Sequence, residues 1–174
     1  ALVPEAFRQV LPIEAVQVWA RQASQAKALV DELRDGGFEA SVASDLAAAV
    51  ARADVVSCAT LATAPVVQGA WLSPGSHLDL IGSFTPKMRE ADDACFAGAR
   101  LFVDTSEALQ KSGDLLGPMS RGVFSAQDVC GRLAELCAGA VPGRSADDQR
   151  TVFKSVGTAL EDLAAAALVF EASA

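Results

Sequence analysis

Residues Ala53 to Ser83 read ADVVSCATLATAPVVQGAWLSPGSHLDLIGS. Within them Asp54 to Thr60 (DVVSCAT) is almost wholly apolar, the pattern of a parallel strand covered on both faces. Val66 to Leu72 predicts a short irregular bridge, and Ser76 to Ile81 (SHLDLI) a second strand. Working outward, Ala15 to Ala20 (AVQVWA) predicts a strand, and Ala23 to Arg34 a helix with Ala26, Leu29, Val30 and Leu33 on one face. Gly36 and Gly37 end that helix, Phe38 to Ala43 (FEASVA) reads as the next strand, and Asp45 caps an alanine-rich turn and a half running to Ala53. Ala1 to Val10 resembles the later part of a helix. Beyond Ser83 the pattern predicts a helix over Arg89 to Ala97 and a strand over Arg100 to Asp104. It then predicts a loop from Gly113 to Gly122, a helix over Ser125 to Cys137, a turn at Pro142 to Arg144 and a last strand at Thr151 to Ser155. Strands alternating with helices predict an α/β fold with a doubly wound parallel sheet, because each parallel strand needs a crossover to return the chain to the same edge. Thr158 to Ala172 is helical and apolar nearly all round, which predicts burial between two bodies. A boundary is expected after Arg144, giving domains 1–144 and 145–174.

The chain has 174 residues, enough for one domain or for one domain and a remnant of another. Hydrophobic residues make up 51% and charged residues 21%, a balance that excludes a disordered chain. The net charge of −8 and the scattered Lys and Arg argue against nucleic acid or an anionic membrane as partner. The longest apolar run, Leu163 to Phe170, falls short of the roughly 20 residues of a spanning helix. No secretory leader opens the chain, and a start at Ala1 instead of Met suggests a cut chain. Cys58, Cys95, Cys130 and Cys137 form no C-x-x-C pair and the sole histidine is His77, so no metal site is expected. Cys58 lies in an apolar strand, and Cys130 and Cys137 are two helical turns apart; buried thiols in a reducing cytoplasm are the expectation.

In a doubly wound sheet ligands sit beyond the carboxyl ends of the strands. The candidates there are Arg21 and Gln22, Ser44 and Asp45, Thr60 to Thr63, Gly82 to Thr85, and Asp104 to Ser106. None makes a hydrolytic triad, and His77, inside a strand, is expected to be structural. Asp79, Asp104 and Asp114 are expected to be hydrogen-bonded anchors. A site for NAD normally carries Asp or Glu at the end of its second strand, whereas an Arg there without that acid suits a 2′-phosphate. Ala20-Arg21-Gln22 holds no acid, which favours NADP(H) over NAD(H). The glycine-rich turn that approaches a pyrophosphate is not in this chain, and is expected just upstream of residue 1.

These segments resemble the ornithine cyclodeaminase/mu-crystallin family. The likeness runs through AVQVWARQ (Ala15 to Gln22), Ala53 to Ser83, the Arg89-Glu90 pair, LFVDT with the following SGD (Leu101 to Asp114), and TVFKSVGTALEDLAAA (Thr151 to Ala166). It implies the later, Rossmann part of a homodimeric protein, without the first strand and glycine-rich loop. The last helix would return to a separate substrate and dimerisation domain. It further implies that Arg21 and Gln22 contact the adenosine ribose or its phosphate, that Thr60 and Leu61 flank the dinucleotide, that Ile81 and Ser83 lie beside the nicotinamide, and that Ser155 closes over it. The Lys and Arg that hold a substrate carboxylate would belong to the N-terminal part, which leaves no catalytic residue assigned here and the isolated chain inactive. Cyclodeaminases of the family carry an Asp soon after the I-G motif, and the matching position here is Phe84. A phenyl ring cannot shuttle protons. The implied activity is therefore NAD(P)H-dependent reduction of a cyclic ketimine or an imino acid. Ornithine cyclodeamination, to proline and ammonia, and a non-catalytic crystallin-like dinucleotide binder are the alternatives.

Overall fold

The computed structural model describes residues 2–173, which divide into two compact units on either side of the step from Arg52 to Ala53. The first unit opens with helix α1 (Leu2–Arg8) and strand β1 (Ala15–Val18), followed by α2 (Ala23–Asp35), β2 (Glu39–Val42) and α3 (Leu46–Arg52). β1 and β2 pair in parallel from Ala15 opposite Glu39 to Val18 opposite Val42. Val30 and Leu33 of α2 pack with Phe38 and Ala40, joined by Ile13, Val16, Val18 and Leu29. The Arg8 guanidinium lies 4.0 Å over the Phe38 ring, and Asp45 accepts from the Ala48 N–H at 3.0 Å as the cap of α3.

The second unit holds β3 (Val55–Cys58), β4 (His77–Leu80), β5 (Arg100–Val103), β6 (Val129–Arg132) and β7 (Thr151–Lys154), with helices α4 (Ala108–Lys111), α5 (Gly113–Ser120), α6 (Leu133–Cys137) and α7 (Ala159–Ser173). The five strands form one parallel sheet in the order β3-β4-β7-β5-β6. This is the expected α/β architecture. The chain lays β3 beside β4, leaves a gap, builds β5 and β6, and returns with β7 to fill the gap. β7 is thus the central strand. Its Val152, like Leu80 of β4, is wholly shielded from solvent.

Three local expectations need correction. The segment over Ser125 to Cys137 is not one helix: Val129–Arg132 is the edge strand β6, between a single 3-10 turn and the short α6. A β-branched Val129 and a Gly131 suit a strand, and pairing with β5 supplies hydrogen bonds that helical periodicity cannot foresee. The register slips by one residue opposite Leu101 and Phe102, leaving Cys130 as the extra residue of a bulge. In consequence Cys130 is half-buried and Cys137 exposed, so the two do not share a core, whereas Cys58 and Cys95 are buried; all four are free. Residues Arg89 to Ala97 hold only a 3-10 turn, Asp93–Cys95, capped by Asp92, because Ala91 bridges to Val67 and the amides of Glu90 and Ala91 are bound elsewhere. The expected loop after Gly113 is α5 instead; Leu115 and Pro118 are buried, so packing overrides the turn signal of Gly113, Gly117 and Pro118.

Val66 to Leu72 is the irregular bridge expected, a 3-10 turn at Gly69–Trp71 following the Val67 bridge. Among the described residues no helix is long and apolar enough to cross a membrane. Replacing Leu80, 0% exposed in the sheet, by Ala should cost about 2–5 kcal/mol in urea unfolding. Replacing Leu61, 72% exposed, should stay within about 0.5 kcal/mol of the parent.

Candidate functional site

Because the strands are parallel, their carboxyl ends meet at one edge. The register sets Cys58, Leu80, Lys154 and Val103 in a row across it. The ladder continues one step further: Ile81 donates to the Cys58 carbonyl at 2.8 Å, Ser155 to Leu80 at 3.1 Å and Asp104 to Lys154 at 3.1 Å. Ile81, Ser155 and Asp104 therefore stand side by side, with Thr60 leading away from β3. Past this row the strands separate, and their tails carry backbone N–H groups that no neighbouring strand can accept.

Three carboxylates accept them. Glu90 takes the Thr60 N–H on Oε1 at 2.6 Å and the Gly82 N–H on Oε2 at 2.7 Å, so one side chain ties the tails of β3 and β4 together. Gly82 is needed at that tie, because a Cβ there would overlap the Thr60 backbone and the Glu90 carboxylate. Asp114, in the first turn of α5, accepts the amides of Glu90 and Ala91 on Oδ1 at 2.8 and 3.1 Å. Asp104 accepts the Thr105 N–H at 2.6 Å, and the Val156 and Gly157 N–H groups at 2.6 and 2.8 Å, which fixes the chain as it leaves β7. Gly157 has a φ of 81°, a conformation glycine adopts without strain, and Thr158 and Glu161 then cap α7 reciprocally.

Lys154 lies under this edge, fully buried. Its Nζ donates to the Leu80 carbonyl at 3.0 Å and stands 3.7 Å from Asp114 Oδ2. Burial lowers the Lys154 ammonium below its ordinary pKa, against the pull of Asp114, Glu90 and Asp104. Burial likewise raises the Glu90 carboxyl, against the two amides it accepts and the charge of Lys154. Cys58 is pushed far up and Cys95 up to about 12, both chiefly by burial, so both remain inert thiols.

The expected site residues fall in both units. Arg21 and Gln22 belong to the first unit, exposed just past β1, and Gln22 precedes α2 without capping it through its side chain. Ser44 and Asp45 lie past β2, Asp45 being the cap already described. In the second unit Thr60, Ile81 and Ser155 are brought to one edge and are half-buried, while Leu61 is exposed. Ser83 turns inward: its hydroxyl donates to the Met88 carbonyl at 2.8 Å, lies 3.1 Å from Ser112 Oγ and accepts the Asp114 N–H at 3.3 Å. The whole residue, backbone included, is 0% exposed. Phe84 is 48% exposed. At the opposite end of the sheet, His77 Nδ1 lies 2.7 Å from Thr151 Oγ1, and within β4, one residue before Leu80, Asp79 accepts the Ser57 hydroxyl at 2.7 Å. Both fill the structural parts expected of them, as do Asp104 and Asp114. Glu90 and Lys154 were not singled out from the sequence. For Lys154 the signal was a charge within an apolar strand; Glu90, in the charged stretch from Lys87 to Asp93, gave none.

The sequence model of the ornithine cyclodeaminase/mu-crystallin family matches residues 2–174. The chain belongs to that family. It is 47% identical over 173 residues to Delta(1)-pyrroline-2-carboxylate reductase of Paracoccus denitrificans, covering 97% of this chain and 54% of that protein. A solved Delta(1)-pyrroline-2-carboxylate reductase of Thermococcus litoralis, in complex with NADH and L-proline, superposes with a TM-score of 0.94 at 33% identity, over 97% of this chain and 53% of the other. An archaeal alanine dehydrogenase dimer with bound NAD gives a TM-score of 0.89 at 33% identity, over 97% and 52%. The chain thus spans about half the length of the family members it matches.

Asp104→Ala would orphan three amides, so unfolding should fall by about 2–5 kcal/mol. Limited proteolysis should open first between Ser155 and Thr158.

Proposed function

We propose that this chain is the dinucleotide-binding part of an NAD(P)H-dependent oxidoreductase that reduces a cyclic ketimine or an imino acid. The observation that carries the reading is the state of the carboxylates at the sheet edge. Glu90, Asp104 and Asp114 are all buried and committed to backbone amides, and the position after Ser83 is a phenyl ring. Such an edge offers a wall for a cofactor and no free carboxylate to move protons at a substrate carbon. Hydride transfer to an imine that arrives protonated needs no such group, whereas loss of ammonia from an amino acid does. The identity with a pyrroline-2-carboxylate reductase supports the same chemistry.

A nicotinamide dinucleotide supplies the hydride when bound. The fit to this chain's residues is a set of walls: half-buried Thr60 and exposed Leu61 flank it, Ile81 and the turn that buries Ser83 border the nicotinamide, and Ser155 closes on it. Arg21 and Gln22 take the adenosine ribose, and Arg21 selects NADP(H), since no acid stands beside it. The bound dinucleotides of the two similar structures are NADH and NAD, which makes Arg21 the residue on which this choice turns. Residues 145–174 carry the chain back towards a substrate and dimerisation domain, and the exposed apolar residues of α7, among them Leu160, Leu163 and Phe170, suit burial there or in a homodimer. The dimeric alanine dehydrogenase and the four free cysteines support a homodimer in a reducing cytoplasm.

The intact protein should consume NADPH when given pyrroline-2-carboxylate; binding without turnover would identify a crystallin-like binder instead. Arg21→Ala should weaken NADPH by about tenfold (~1.4 kcal/mol) and leave NADH within about twofold, read by fluorescence titration. Equal loss for both would remove the case for NADP(H). Phe84→Asp should gain release of ammonia from ornithine. An unchanged product profile would show that this position does not set the branch.

A further inference from the structure

Among the described residues Lys154 is the largest side chain fully removed from solvent. Burying an ammonium costs several kcal/mol, and a methionine would fill a similar space without that cost. The position must be charged for a reason other than packing. Around it stand Asp114 of α5, Glu90, Asp104 beyond β5 and Asp79 of β4, with the Leu80 carbonyl as its hydrogen-bond acceptor; Cys58 of β3 faces Glu90. Glu90 must accept with both oxygens, one from Thr60 and one from Gly82. An ionised carboxylate does so best, because protonation turns one oxygen into a donor and weakens it as an acceptor.

We propose that Lys154 is a positioning residue: its buried ammonium, beside Asp114, which holds the Glu90 backbone amide, favours the acceptor-only form of Glu90 and thereby fixes the Thr60 and Gly82 turns in the shape that receives the dinucleotide. The proposal rests on the cofactor reading above and adds a residue that touches no cofactor atom. Its consequence has a definite sign. Glu90 is already raised by burial, and without the ammonium it rises further. The clamp then holds above that raised value and fails as pH falls through it, within a range where the parent stays closed.

The test titrates NADH and NADPH against the intact protein between about pH 6 and pH 8, for the parent, Lys154→Met, Glu90→Gln and the double variant, with amide exchange protection of Thr60 and Gly82 followed without cofactor. The parent is expected to bind equally across the range. Lys154→Met should lose about tenfold in affinity from the upper to the lower pH, with protection of both amides falling in step. The double variant has no carboxyl to titrate at position 90, and should bind weakly at every pH. A Lys154→Met protein with parental affinity and protection throughout would overturn the proposal. Should that variant not fold, Glu90→Gln decides: about tenfold weaker binding at an unchanged melting temperature supports the clamp, and parental affinity overturns it. A parent that binds neither dinucleotide sinks the cofactor reading and this proposal together, whereas a binding parent with an indifferent Lys154→Met sinks this proposal alone.

Discussion

Parallel strands that end together leave a fringe of backbone amides with no partner strand, and the second unit depends on how that fringe is satisfied. Here the acceptors are carboxylates reaching in from segments distant in sequence: Glu90 on Thr60 and Gly82, Asp114 on Glu90 and Ala91, and Asp104 on Val156 and Gly157. A charged acceptor makes a stronger bond to an amide than a neutral one does, at a cost of desolvation that grows with burial. Lys154 offsets that cost from beneath. β7, last in the chain and central in the sheet, carries that ammonium to 3.7 Å from Asp114.

Each tie also locks a long stretch of chain. Glu90 joins residues 30 and 8 positions away, and Asp104 joins residues 52 and 53 positions away. Closing such loops carries an entropic cost that grows only slowly with length, so bonds of this kind convert a few strong contacts into a defined edge. The segment between β4 and β5 illustrates the result. All three amides from Arg89 to Ala91 are given to distant segments, that of Arg89 to the Ala62 carbonyl and those of Glu90 and Ala91 to Asp114.

What the sequence made legible follows from this physics. Alternation of apolar strands with helices is written in local patterns, so β1 to β5, β7 and the long helices α2 and α7 were readable. The edge strand β6 was not, since its four residues sit beside helix formers and its pairing with β5 depends on a bulge at Cys130. α5 was hidden by glycine and proline, whose turn preference yields when Leu115 has a core to fill. At the edge itself Thr60, Ile81 and Ser155 were readable as strand ends, and Asp104 and Asp114 as anchors. Ser83 turned inward because three partners for its hydroxyl lie there. The link between Glu90 and Lys154 could not be read, because 64 positions separate them and no local pattern connects a buried base to a buried acid.

The use of acids as scaffold bears on the chemistry the edge can host. A carboxylate that holds two amides is already spoken for; to donate or take a proton it would have to release the backbone that shapes the site. Stability and acid-base catalysis therefore compete for the same oxygens, and at Glu90, Asp104 and Asp114 the contest is decided for structure. The groups left at least partly open at this edge are instead two hydroxyl residues, two aliphatic ones and a phenyl ring, at Thr60, Ser155, Leu61, Ile81 and Phe84. Such a surface can position a flat ring and exclude water from one side of it, which is what hydride transfer asks of the protein.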